Sequence, residues 1–584
     1  MRAEKVYHLV NFIAGMQLVA SDAHQRKAPF VICHSLATVY KTNSAMKRIL
    51  LTIIAILTTE LLLAQPVPIW SSSINSNFVS YVHDKPKMKF DNAGDLILVG
   101  NIDNSANGFG IDILLAKYSP SGSIIWQQLF NGANNLDDAA NDFEIDFQNN
   151  ILITGQSKID SVNTDLITVK YFSNGNFDWL NSFNGTTNRE DNGTALTVDQ
   201  TGSSFVTGFT SIKTLGHSQI IATKIDSGGS TLWTQFYGTD TTALYQGKKI
   251  KLINNEVRII ASSFSLYPFT YKFIVLKFDT IGTLQFSKEG FMNPPASCFY
   301  LDNIGNSYLG FGGYERFKFF KINSTGSIAW MDSITTNLPF NVLADEARAI
   351  IVDSLQNVYI TGRHYGDDYG GPTYSNADIL TMKYSSNGIK LWSKRYEYQG
   401  NNAADVPNAI TLDNNLNVYV AGQSERELTD YDYVVVKYDI NGNELGTIRF
   451  NDTASGDDAI TSILVDDSSN IYVTGLTFDT LLSRTTTQKY SSVSGVGIFE
   501  VTDSPISVNA FPNPFSNSTC IQFTNTENEV FNLQVFDISG KIIFNEKTTD
   551  NKIEISSHNL PTGLYLFMLI SGKGIYNGKI IRSK

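Results

Sequence analysis

Cysteine is scarce in this chain of 584 residues: there are three, and beyond residue 64 only Cys298 and Cys520 remain. Two thiols in separate segments argue against a disulfide framework, so stability has to come from packing. Positive charge is also short. Lys and Arg number 44 against 56 Asp and Glu, a net charge of −12, which argues against nucleic acid, a partner that demands a basic face. Long Ala/Leu/Glu/Lys stretches are missing, and no segment keeps a 3.6-residue apolar period over ten residues, which excludes a helical solenoid. No H-E-x-x-H, C-x-x-C or G-x-S-x-G pattern occurs, so the common hydrolytic and metal signatures are absent.

What the chain does contain is Gly, Asn, Asp, Ser and Thr interspersed with Tyr, Phe and Ile, the composition of short strands joined by tight turns. The first 64 residues stand apart. Met46-Lys47-Arg48 followed by ILLTIIAILTTELLLA has the basic start, short apolar core and small residue at Ala64 of a secretory signal peptide, expected over 46–64. The apolar run is shorter than the ~20 residues a spanning helix needs, and Glu60 interrupts it. Residues 1–45 have no reason to precede such a signal; translation is expected to begin at Met46, with 1–45 a disordered upstream mis-start.

The block DDSSNIYVTG (466–475) recurs as DNNLNVYVAG (413–422), DSLQNVYITG (353–362), DQTGSSFVTG (199–208), DFQNNILITG (146–155) and DNAGDLILVG (91–100). Looser copies at 254–262 and 302–313 bring the number to eight. Each is followed by an apolar run ending in Lys plus Tyr, Phe or Ile, from Lys117-Tyr118 to Lys489-Tyr490. In the first seven a Gly follows four residues after the second member of that pair. Four residues further on stand Trp126, Trp179, Trp233, Phe286, Trp330, Trp392 and Gly446. Four short strands per unit of roughly 53 residues, repeated eight times, is the pattern of a β-propeller over 66–495.

The eighth copy, TTTQKYSSVSGVGIFEV (485–501), never reaches its tryptophan. The sixth tryptophan of the chain, Trp70, is in phase with the next block and is followed four residues later by Ile74, as the other tryptophans are followed by Phe130, Phe183, Tyr237, Ile334 and Tyr396. Trp70 and Ile74 are therefore expected to supply the outer strand of the last unit and close the ring, which removes an open sheet edge. The expected fold is all-β: an eight-bladed propeller, with seven blades as the alternative, closed by an amino-terminal strand.

These blocks resemble the D-x-x-G-N-x-Y-V-T-G-x-T repeats of β-propellers in secreted bacterial proteins, a family whose members often have seven blades. The resemblance implies the fold and says little about activity. After a linker at 496–508 the texture changes to AFPNPFSNSTCIQF, FNLQVFDISGKIIFNEK and LPTGLYLFMLISG, alternating strands of a small Ig-like β-sandwich over 509–584. Pro512, Asn513, Pro514 and Phe515, the turn at Gly540 and Lys541, Gly563, Tyr565 and the terminal Lys579 resemble the type A carboxyl-terminal sorting domain of the type IX secretion system of Bacteroidota. That resemblance implies export by the signal peptide, passage through the outer membrane by partnership with the secretion machinery, and removal of the sorting domain. The product is then secreted or attached to surface lipopolysaccharide.

Candidate functional residues fall in two groups. Eight residues before the turn aspartates stand Asp138, Asp191, Asp345, Asp405 and Asp458, a partial ring of acids. Such a ring reads either as a cation site, calcium being the ion in question, or as carboxylates that accept backbone N–H groups once per unit. His217 and His364 lie in b–c loops expected on the same face. The longest such loop, RHYGDDYGGPTYSNAD (363–378), adds Tyr365, Asp367, Asp368, Tyr369 and Tyr374, a Tyr-rich mix suited to a glycan or peptide ligand; a tolerated surface insertion is the other reading. The functional expectation is a non-catalytic binding or adhesion role with no cofactor other than calcium. An extracellular hydrolase or lyase acting on glycan or peptide is the alternative.

Overall fold

A computed structural model describes residues 68–77, 85–491 and 508–583, apart from 213–216, 239, 241, 267, 293–294, 314–315, 336–344, 366–376, 399–403, 427–429, 451–455, 480–481, 524, 526–528, 538–541, 558–559 and 572–573. Almost every regular element is a strand, and no described helix is long and apolar enough to cross a membrane.

Up to Tyr490 the described strands group into eight antiparallel units, each with strands a to d. The first comprises Lys87–Phe90, Leu96–Asp103, Ile111–Tyr118 and Ile124–Phe130. Strands b and c are buried on both faces, so they read as continuous apolar runs such as LILV and ILLA, whereas strand d alternates between exposed and half-buried residues. The apolar core lies between neighbouring sheets: Ile97, Val99, Ile113 and Leu115 of the first unit pack with Phe143, Ile153 and Val169 of the second. Each fully buried aliphatic side chain contributes about 1.5–3 kcal/mol.

Turn chemistry explains the repeated Asp. Asp146 Oδ1 accepts the N–H groups of Gln148 and Asn150 at 2.9 and 2.8 Å, and Asp353, Asp413 and Asp466 do the same in their units. A residue with positive φ completes the turn.

The last unit is built from both ends of its domain. Ala459–Val465, Ile471–Asp479 and Leu482–Tyr490 provide strands a to c, and Trp70–Asn75 pairs antiparallel with Leu482–Tyr490 as strand d. Trp70 stands opposite Lys489, the register in which Trp126 faces Lys117 and Trp392 faces Lys383. Its indole N–H donates to the Pro120 carbonyl of the first unit at 3.1 Å. Likewise Trp126 donates to Ser173, Trp179 to Ser227 and Trp392 to Ile440, each in the unit that follows. The indole lies against the turn glycine of that next unit: a Cβ on Gly122 (φ +87°) would sit 2.4 Å from Trp70 Cδ2. The repeated Gly and the repeated Trp are thus two halves of one inter-unit contact.

A second contact links the units along their a strands. The a–b pairs of units two to eight each carry a bulge. Its extra residue reaches the next unit in several cases: Asn141 Nδ2 donates to Gly193 O, Thr194 Oγ1 to Gly247 O and Asn408 Nδ2 to Ile460 O. Thr461 Oγ1 donates to Pro86 O at 2.7 Å, so the eighth unit meets the first by the same device used elsewhere. The cyclic order of contacts is complete on both edges of the sheets.

Residues 508–583 form two further sheets, Val508–Phe511, Ser518–Phe523 and Lys552–Ser556 in one, and Ile542–Thr548, Phe531–Phe536, Gly563–Ser571 and Gly574–Arg582 in the other. Phe515, Ile521, Phe531, Leu533, Ile553 and Phe567 are among the buried side chains of their shared core. Both cysteines are free; Cys298 is buried, which pushes its thiol up to about 12.

Candidate functional site

The repeated acids sit at the start of strand a, where the chain enters each unit. Asp138 Oδ2 accepts the Gly132 N–H at 2.5 Å and Asp191 Oδ2 the Gly185 N–H at 2.5 Å, while Asp405 Oδ2 accepts from Tyr398 N at 3.0 Å and its other oxygen from Ser424 Oγ. Asp458 is fully buried, and its backbone N–H donates to Tyr431 O at 2.6 Å. Each of the first three fastens the preceding d–a loop to its own sheet. Burial pushes the carboxyls of Asp138 and Asp191 up, against the hydrogen bonds they accept. Among the described residues no three His, Cys, Asp or Glu side chains converge closely enough to hold a metal ion by themselves.

Asp345 is different, because its partners are not repeated. Its Oδ1 accepts the Tyr365 N–H at 2.8 Å and its Oδ2 lies 3.1 Å from His364 Nδ1. The carboxylate holds the imidazole by one nitrogen and fixes the first residue of the long b–c connection. The far end of that connection is tied down as well: Asp378, 1% exposed, bonds Arg395 Nε, and the Asp405 N–H donates to Ala377 O at 2.5 Å. Burial pushes the Asp378 carboxyl up to about 6 although Arg395 opposes the shift. Tyr365 is buried, and desolvation raises its phenol. Asp367, Asp368, Tyr369 and Tyr374 lie outside the described residues.

His217 belongs to the third unit and His364 to the sixth; the His217 carbonyl accepts the Ile212 N–H at 2.9 Å. The structure thus assembles Asp345, His364 and Tyr365, with Asp378 and Arg395 beside them, and leaves His217 elsewhere. Chemically the assembly orients one imidazole and buries one guanidinium–carboxylate pair. Among the described residues the hydrogen bond of the His364 ring goes to Asp345 and to no hydroxyl or thiol nucleophile.

Sequence reasoning missed a second series of acids. Asp112, Asp165, Asp378 and Asp432 begin strand c, five residues before the repeated lysine, and all are buried. That shared spacing was the available signal. It also missed the bulge residues Asn141, Thr194, Asn408 and Thr461.

In the carboxyl-terminal module Asn513 is locked to the last strand, its Oδ1 accepting Ile581 N–H and its Nδ2 donating to Lys579 O, both at 2.8 Å. Phe515 is buried and its N–H donates to Ile581 O. Tyr565 Oη donates to Pro561 O, and Gly563 opens the strand that pairs with the one carrying Lys579. Pro512 and Pro514 flank Asn513; Gly540 and Lys541 lie outside the described residues.

Residues 509–583 match the family described as the secretion system C-terminal sorting domain. No curated protein matches the chain. Among solved structures, similar ones include PorZ, a surface component of the type-IX secretion system of Porphyromonas gingivalis. It is 8% identical with TM-score 0.22, covering 88% of this chain and 100% of that one. The β-propeller domain of the trilobed protease of Pyrococcus furiosus is 8% identical with TM-score 0.31, covering 64% and 97%. Virginiamycin B lyase from Staphylococcus aureus is 13% identical with TM-score 0.33, covering 60% and 96%.

Proposed function

We propose that this chain, which carries a secretion-system sorting domain at its carboxyl end, is an exported eight-bladed propeller that captures a glycan or peptide without catalysis. The observation that carries this reading is the anchoring of residues 366–376 at both ends by buried charge: Asp345 with His364 and Tyr365 on one side, Asp378 with Arg395 on the other. A connection rooted in this way holds a Tyr- and Asp-rich segment on a rigid scaffold, which limits the entropy lost when a ligand binds. Signal peptide 46–64 takes the chain across the inner membrane and module 509–584 engages the type IX machinery at the outer membrane. The module is then removed, leaving the propeller free or attached to lipopolysaccharide.

The test is a glycan and peptide array probed with the secreted protein, with and without calcium, beside a variant whose 366–376 segment is replaced by a short Gly-Ser turn. Hits that disappear in the variant support the reading, and hits that persist unchanged overturn it. The His364–Asp345 pair favours one competing reading, a hydrolase or lyase in which the imidazole serves as base. Release of product from the array ligands, abolished by His364→Ala, would decide for it.

A further inference from the structure

Beyond ligand capture, the junction between the first and second units holds two carboxylates without a counter-charge. Asp112 starts strand c of the first unit and Asp138 starts strand a of the second. Each is 1% exposed, and the Oδ1 atom of each is buried with no hydrogen-bond partner. Asn104 Nδ2 donates to Asp112 Oδ2 at 2.8 Å and Gly132 N–H to Asp138 Oδ2 at 2.5 Å, so the outer oxygens are satisfied while the other two are not. The charge of Asp112 is felt at Asp138. Asp137, next along the chain, is already engaged: its Oδ1 accepts Ile111 N–H and its Oδ2 pairs with Lys158 at 3.1 Å. Among the described residues no basic side chain forms an ion pair with Asp112 or Asp138.

Equivalent junctions indicate what is missing here. In the sixth unit the strand-c acid Asp378 bonds Arg395, which stands opposite Leu380 on strand d. In the second unit the same strand-d position is Ser182, whose hydroxyl donates to Asp165 Oδ2 at 2.9 Å. In the first unit it is Leu129, opposite Leu114, and offers nothing polar. Two buried carboxylates facing each other without compensation carry a large desolvation penalty. A cation removes it.

We propose that Asp112 and Asp138 bind a calcium ion between the first two units. Calcium accepts six to eight oxygens in irregular geometry, so two carboxylates, loop carbonyls and water suffice, whereas magnesium demands a near-ideal octahedron. The ion does for this junction what the Arg395 guanidinium does for its own.

The test uses the full secreted protein, stripped with chelator and titrated with calcium or magnesium to about 10 mM, above the range of weak extracellular sites. The expected result is a calcium-dependent rise in Tm of about 2 °C or more, smaller with magnesium, abolished in Asp112→Asn and retained in Asp378→Asn. Asp112→Asn is the reporting variant because Asp138 also holds the Gly132 loop. A wild-type Tm that ignores calcium, or a rise of equal size in Asp112→Asn, overturns the proposal. Because the readout is Tm, a failure of ligand capture leaves this result unaffected.

Discussion

Two neighbouring seams differ by one residue. Where the sixth unit meets the seventh, Trp392 lies on the turn glycine Gly442 and donates to Ile440 O at 3.0 Å. Where the seventh meets the eighth, the tryptophan position is Gly446. The eighth unit has no c–d turn, because its d strand comes from Trp70–Asn75. An indole at 446 would have no turn glycine to rest on. The tryptophan missing from the last unit and the tryptophan missing from the seventh have the same cause.

That comparison can be broken most severely at the closing strand. Trp70→Ala removes an indole that packs beside Tyr118 and Tyr472, and denaturant unfolding is expected to register a loss of about 3 kcal/mol. Trp126→Ala should lose a similar amount; a much smaller loss at Trp70 would mean that the eighth seam is not equivalent to the others. Next in size, Gly122→Ala places a methyl group against Trp70 and is expected to lose about 2 kcal/mol or more. Gly94→Ala has the same sign of φ but open space around its Cβ, so only the left-handed strain of about 1 kcal/mol applies.

The inner edge gives a charge counterpart. Burial alone would raise the carboxyl of Asp142, but the charges of Lys87, Lys249 and Lys89, with a 3.1 Å hydrogen bond from Lys87, hold it down at about 2. A depressed carboxyl contributes stability above its unfolded value near 3.9 that disappears as pH falls toward 2. About 2 kcal/mol is therefore expected to be lost between pH 4 and 2 in the wild type, and Asp142→Asn should flatten that part of the profile while lowering stability at pH 7. The smallest effect is expected from Gly446→Trp, within about 0.5 kcal/mol of neutral, since no turn glycine faces it; clear stabilisation there would contradict the account of the seam.

Features repeated in most units were legible in the sequence because each copy reinforces the others. The Trp–Gly spacing located Trp70 more than 400 residues from its partner strand, and the Asp turns marked where strands a and b meet. Features that depend on pairing across units were not legible. The Asp378–Arg395 bond joins strands c and d through a position that holds Leu129 or Ser182 in other units, so no pattern announces it. The bulge residues Asn141, Thr194 and Thr461 are small and polar within strands that already alternate, and a bulge leaves no mark until the register is known. His364 could be named from its loop, but its carboxylate partner Asp345 had been grouped with acids that serve each unit alike.

Ser73 and Thr486 hydrogen bond at 2.9 Å across 413 residues of chain. The first strand therefore waits, unpaired, until the last strand of the ring has been made and delivered. Anything that stops synthesis or translocation before Tyr490 leaves an exposed edge on a chain that also lacks its sorting module. Folding to completion and carrying the export signal become a single event, and the ring reports that its own chain has arrived in full.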